Sequence, residues 1–167
     1  MFASGRFVGL SKCTVFIMVA ALAIGLVHHT DHVLRFDHSG WPFRSAVNPF
    51  TYSLLAYPIA LFALFGPARL FWVRWLVLLV GAGFTLWAHT AIETPDMQFA
   101  MWAHNHSLEP SQPDAHNLLD LQSRLVGILS VGVSMALNVL LVLGVVSMLW
   151  DGVKGSNAQR SLSARSP

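Results

Sequence analysis

The sequence predicts an all-α integral membrane protein, a bundle of four transmembrane helices with both termini cytoplasmic, and three observations carry that prediction. Of the 167 residues, 54% are apolar and 11% charged, against about 25% charged in an ordinary soluble domain. The apolar residues gather into four long runs. In lipid the backbone must satisfy its own hydrogen bonds, so a run of about 20 such residues reads as a crossing helix. The basic residues are also sorted: Arg6, Lys12, Arg69, Arg74, Lys154, Arg160 and Arg165 fall on the side shared by both termini and the second connection. That side is cytoplasmic by the positive-inside rule. Of the acidic residues only Asp151 joins them, the others lying opposite with Arg35, Arg44 and Arg124.

The first helix is expected over about residues 7–27, with Lys12 close enough to its start to reach the headgroups. The same segment resembles a signal peptide, with Arg6 and Lys12 as its basic region and Ala21-Leu22-Ala23 as a cleavage site. The apolar run, however, continues past that site to Val27. The second helix, about 49–65, starts with Asn48 as cap and Pro49 in its first turn. Pro58 is expected to kink it and the Gly66-Pro67 pair to end it. The third spans about 70–94 and stops before Pro95. The fourth, about 115–150, is given an early start by Pro113-Asp114. These four make one domain over residues 1–151, and the Ser- and Arg-bearing segment 152–167 reads as a disordered tail. Trp72, Trp75 and Trp150 are expected to anchor the inner interface, and Trp41, Trp87 and Trp102 the outer one.

All eight histidines then fall on the outer side. On the first helix, His28, Asp31, His32 and Arg35 share a face with Ala21 and Gly25. Small residues on a membrane helix mark a close neighbour, so that face should point inward, with His29 about 100° round from His28. The third helix repeats the pattern with Ala82, Thr85, His89 and Glu93. The fourth, if it starts near Asp114, aligns His116, Asp120, Arg124, Gly127, Ser134 and Asn138. An ionisable group at the centre of a membrane helix costs about 2.5 to 3.5 kcal/mol on insertion scales, so a cluster of them calls for a function.

Imidazole and carboxylate at four-residue spacing suit a divalent transition metal, with zinc, iron and copper not distinguished. The expected ligands are His28, His32, His89, Glu93 and His116, and Glu93, Asp31 and Asp120 are the candidate proton carriers. The pairs Asp31/Arg35 and Asp120/Arg124 also read as plain i,i+4 salt bridges, and Asn138 as an interhelical hydrogen bond. His38 reads as a loop residue. His104 and His106, with Met97 and Met101, form a composition that suits copper, though Met at such spacing is more often packing. Asn105-His106-Ser107 is a formal glycosylation sequon. The one cysteine, Cys13, excludes an intrachain disulfide and a thiolate cluster.

Four functions remain open on the sequence. The leading one is a metal-dependent enzyme of a cell membrane, such as a bacterial inner membrane, acting at the extracytoplasmic face on a lipid or amphiphilic substrate. The second is a metal chaperone, sensor or accessory subunit, with partner subunits or a second copy. A b-type cytochrome pairing His28 or His32 with His89 is the third, and a transporter the fourth. Membrane lipid is the expected partner; nothing in the charge pattern suggests nucleic acid.

Overall fold

The computed structural model describes residues 9–35, 52–110 and 113–163. His38, Trp41, Arg44 and the expected helix start at Asn48-Pro49 lie outside them, as do Arg6 and Arg165. The described residues contain helices and turns and no strand.

The first helix, α1, runs Lys12–Arg35. Ser11 starts it by accepting from the amide of Thr14 at 3.2 Å. Asp151 Oδ2 accepts from the Ser11 amide at 2.8 Å and from Thr14 Oγ1 at 2.6 Å. A carboxylate thus sits at the positive end of the helix dipole. The helix continues past Val27, so the histidine-rich stretch is itself helical.

The second helix, α2, is Ala56–Phe65. Pro58 falls in its first turn; residues 52–53 are also helical, and the turn at 54–55 that separates them from α2 lies one helical turn before Pro58, whose missing amide hydrogen leaves the Leu54 carbonyl to the Tyr57 amide at 3.3 Å. Gly66 ends the helix: a Cβ there would stand 2.6 Å from the Phe62 carbonyl oxygen. Arg74 is fully buried and donates from Nη2 to the carbonyls of Ala63 at 2.6 Å and Leu64 at 3.3 Å. Its guanidinium therefore caps α2 through the carbonyls that the last turn leaves over.

After a 3-10 turn at Ala68–Leu70, α3 runs Phe71–Trp87 and widens into a π-turn at Ala88–Ile92. Pro95 cannot continue that helix. It instead occupies the first turn of α4, Pro95–Ala103, where Thr94 Oγ1 accepts from the Met97 amide. This short helix was not expected from the sequence. It folds back into the protein, burying Gln98, Met101 and Trp102.

The last helix, α5, is Arg124–Ser163, which corrects the expectation at both ends. Residues 113–123 are not helical because Asn117 satisfies that backbone with its side chain. Its Oδ1 accepts from the amides of Leu119 and Leu121 at 3.2 and 3.0 Å, and its Nδ2 donates to the Leu121 carbonyl at 2.8 Å. Such side-chain bonds compete with helix formation. At the other end, Gly152 allows α5 to pass close to the rings of Phe71 and Trp72, and the helix carries on to Ser163, within the segment expected to be disordered.

Three helices are long and apolar enough to cross a membrane: Lys12–Arg35, Ala68–Ile92 and Arg124–Asn157, with mean hydropathies of 1.9, 1.7 and 2.3. At 1.5 Å per residue α2 spans only about 15 Å, half the hydrocarbon thickness. Large apolar side chains such as Phe16, Leu26, Val80, Ile128 and Val146 point outward, an arrangement that suits lipid and not water. Inside, Met18, Ala21, Ala63, Leu78, Leu141 and Met148 form the core. The helix α5 packs against α1, α3 and α4.

Candidate metal centre

The small residues predicted to point inward are buried, although Gly25 does not bring a neighbour into close approach. Ala21 and Gly25 are buried on α1, and the same face delivers His28, Asp31, His32 and Arg35 to the interior. From α3 the π-turn brings in His89 and Glu93. The amide of Glu93 donates to the carbonyl of Ala88, five residues back, at 2.8 Å. The turn ends the helix at Glu93 with its carboxylate buried, and such turns recur at functional sites.

His28, His32, His89 and Glu93 are all buried, and one potential ligand atom from each lies within 4.8 Å of the others. His28 Nε2 and His89 Nε2 are 2.9 Å apart. His32 Nε2 donates to Glu93 Oε2 at 2.8 Å, and Arg35 Nη1 pairs with Glu93 Oε1. These donors form a set that can hold a divalent metal ion: three imidazoles and one carboxylate, drawn from two helices.

A hydrogen-bonded path runs outward from the two facing imidazoles. Asn138 Oδ1 accepts from His89 Nδ1 at 3.0 Å; His28 Nδ1 meets Ser134 Oγ at 3.0 Å; Ser134 Oγ donates to Gln98 Oε1 at 2.7 Å. With the two amide oxygens directed as they are, both ends of this path are acceptors. Between them lie four contacts, counting the one from His89 to His28, and three hydrogens, one each on His89, His28 and Ser134. With both imidazoles neutral, the path is one hydrogen short. If the outer contacts are kept, the shortage falls between the two Nε2 atoms, whose lone pairs then face each other.

Asp31 is held by three donors: Arg35 Nε at 2.7 Å, Trp102 Nε1 at 2.8 Å and Ser130 Oγ at 2.7 Å. The salt bridge to Arg35 read from the sequence is thus present, and the carboxylate is engaged in orienting that guanidinium. Trp102 was expected at the outer interface. It is buried instead, because its indole N–H serves Asp31.

His116 and Asp120 are not brought to this group. With residues 113–123 out of the helix, both lie exposed in the connection between α4 and α5. His116 Nδ1 donates to the Asn105 carbonyl at 2.7 Å, and Asp120 accepts from Asn105 Nδ2 at 2.6 Å. His104 and His106 are exposed while Met101 is buried, so the packing reading fits that methionine.

Sequence reasoning missed Gln98 and Trp102. The signal was present: Thr94-Pro95-Asp96 is a helix-start pattern, and Gln98 stands among apolar residues on the helix it opens. His29, Ser53 and Tyr57 were likewise given no role, yet they join across α1 and α2. His29 Nδ1 lies 2.6 Å from Tyr57 Oη and Nε2 lies 2.9 Å from Ser53 Oγ.

Comparison with protein-family models, with curated proteins and with solved structures gives no match, so what this chain does is argued from the chemistry of these side chains.

Proposed function

We propose that the chain is an integral membrane metalloprotein, with four helices in the membrane and both termini cytoplasmic. One divalent transition-metal ion is held by His28, His32, His89 and Glu93 at the extracytoplasmic end. The observation that carries this reading is the 2.9 Å approach of His28 Nε2 to His89 Nε2, which neutral rings with their outer contacts kept leave without a hydrogen between them. A metal ion on both Nε2 atoms removes the contact that has no hydrogen. It leaves His89 Nδ1 donating to Asn138 and His28 Nδ1 donating to Ser134. An imidazole whose second nitrogen donates to a neighbouring oxygen is the usual arrangement around a protein-bound metal. The charges point the same way. Asp31 and Glu93 carry two negative charges against the single positive charge of Arg35, and a buried excess of this kind attracts a cation.

Nitrogen and carboxylate donors suit zinc, iron and copper alike. Such an ion supplies Lewis acidity and lowers the pKa of a bound water. Around it, Arg35 and Asp31 position Glu93, and Glu93 is the carboxylate placed to move a proton. Complete burial of the four donors favours a resident ion over a transient cargo. It also favours a small substrate over a lipid headgroup, with membrane lipid as the solvent of the outward faces. Haem fits poorly, since 2.9 Å between His28 and His89 leaves no room for a porphyrin between them.

A second reading has its own support. The contact from His32 to Glu93 at 2.8 Å is also the geometry of a protonated imidazole paired with a carboxylate, and a proton then takes the place of the metal. Elemental analysis with a visible spectrum, on detergent-purified protein beside a His32→Ala, His89→Ala double variant, separates the two. Near-stoichiometric metal that is lost in the variant supports the metalloprotein. No metal in either sample after reconstitution supports the proton-bound cluster, and a Soret band would overturn both.

A further inference from the structure

A partly open cavity of about 50 Å³ lies between α1, α2, α3 and α5, directly beside the histidine cluster. Small side chains make the space: Ala21 and Gly25 on one wall, Ala56 and Ala60 on the opposite one. A Cβ built on Gly25 would have only Leu137 near it, at 3.9 Å, so this wall is set back from its neighbours. His28 and His89, whose Nε2 atoms face each other in the cluster, also line the cavity. His29 and Tyr57 line it too, and the bond between them fixes the tyrosine ring in the wall.

We infer that this cavity is a binding site for a small neutral molecule of the size of dioxygen, which meets the His28 and His89 imidazoles from within it. Size sets the upper limit. An apolar cavity of about 150 Å³ takes benzene, so a third of that volume takes a molecule of about two or three heavy atoms. The lining sets the charge. Most of the surface that the cavity presents is apolar, although His28, His29, Ser53, Tyr57, Thr85 and His89 also line it, and an ion would lose its hydration there without full compensation. The position sets the relevance, because a molecule seated against His28 and His89 touches the same two side chains that are proposed to hold the metal. Binding in the cavity stands by itself; its meaning as access to a reactive centre rests on the metalloprotein reading.

Xenon is the probe, since apolar cavities of this kind bind it. Crystals of the full chain under xenon pressure are expected to show one xenon in the cavity. His32 does not line the cavity, so the same peak is expected in His32→Ala, in which the proposed metal is lost. Gly25→Leu is expected to lose the xenon and keep the metal, and Ala56→Leu, which fills the space from α2, is expected to do the same. Metal retained in either filled variant shows that the protein has folded. Absence of xenon from the wild-type cavity overturns the inference, as does xenon that persists in both filled variants. Xenon in the cavity of a protein that binds no metal leaves the ligand site standing and removes the metal.

Discussion

His28 and His89, 61 positions apart in the chain, bring their Nε2 atoms to within 2.9 Å of each other. Their other nitrogens face Ser134 and Asn138, both on α5. Three helices therefore fix one pair of imidazoles.

Asn138→Ala is expected to weaken metal binding about 10- to 100-fold, the usual cost of losing a group that orients a ligating histidine. Competition against a chelator of known affinity measures this. The variant should still bind one ion; an unchanged affinity would show that Asn138 does not orient His89 on a metal.

Metal affinity is expected to rise with pH through the range in which free imidazole loses its proton. Protons compete for the same lone pairs, and His32 Nε2 must give up the hydrogen it donates to Glu93 before it can coordinate. Titrating binding at a series of pH values, with proton release followed in a weakly buffered sample, tests the sign. Affinity that rises on acidification would contradict the assigned ligands.

Glu93→Gln should lower thermal stability in detergent as well as metal content. It leaves the fully buried Arg35 with Asp31 as its carboxylate partner, and breaking a buried pair in this way costs about 3 to 5 kcal/mol. Joining it to Arg35→Met should recover stability without recovering metal. The double variant would then separate the structural part of Glu93 from its part as a ligand.

Asn105→Ala is expected to destabilise the connection between α4 and α5, and the sequon should stay unglycosylated even in a eukaryotic secretory membrane. Asn105 is buried and sits at a φ of 49°. Its Nδ2 donates to Asp120, and its Oδ1 accepts from the Asn117 amide at 2.8 Å. A mass shift from added glycan on folded protein would contradict this placement.

Arg74→Met should destabilise the pairing of α2 with α3. The guanidinium holds carbonyls at the end of α2, and buried acceptors left without a donor cost about 1 to 3 kcal/mol each. Thermal unfolding in detergent measures the loss, and a neutral outcome would show that water replaces the arginine.

Much of this was legible in the sequence because the rules that apply in lipid are strict. Of the four apolar runs, three fold as helices long enough to cross a membrane and the other as the shorter α2, and the 100° period put His28, His32, Ala21 and Gly25 on one buried face of α1. The same period grouped His89 with Glu93, although the π-turn that completes their approach has no sequence signature. It failed at His116 and Asp120. Spacing alone is consistent with a helix there, whereas the side chain of Asn117 holds that backbone in another form. Local side-chain bonds decided that segment, and a helical pattern cannot reveal them. The burial of Arg74 was also out of reach, since charge sorting counts a basic residue on a side without saying which carbonyls it will cap.

The helices α1 and α5 run antiparallel and are fastened by polar contacts at both ends. Thr14 meets Ser147 and Asp151 at one end, and His28 meets Ser134 and Asp31 meets Ser130 at the other. A slip of one helical turn, about 5.4 Å, would unfasten every one of them together. The register of the pair is thus pinned twice, and the histidines are aligned in part by a hydroxyl and a carboxylate some 20 Å along the helices from them. A worn latch at the Thr14 end would be felt as a misaligned His28 at the other.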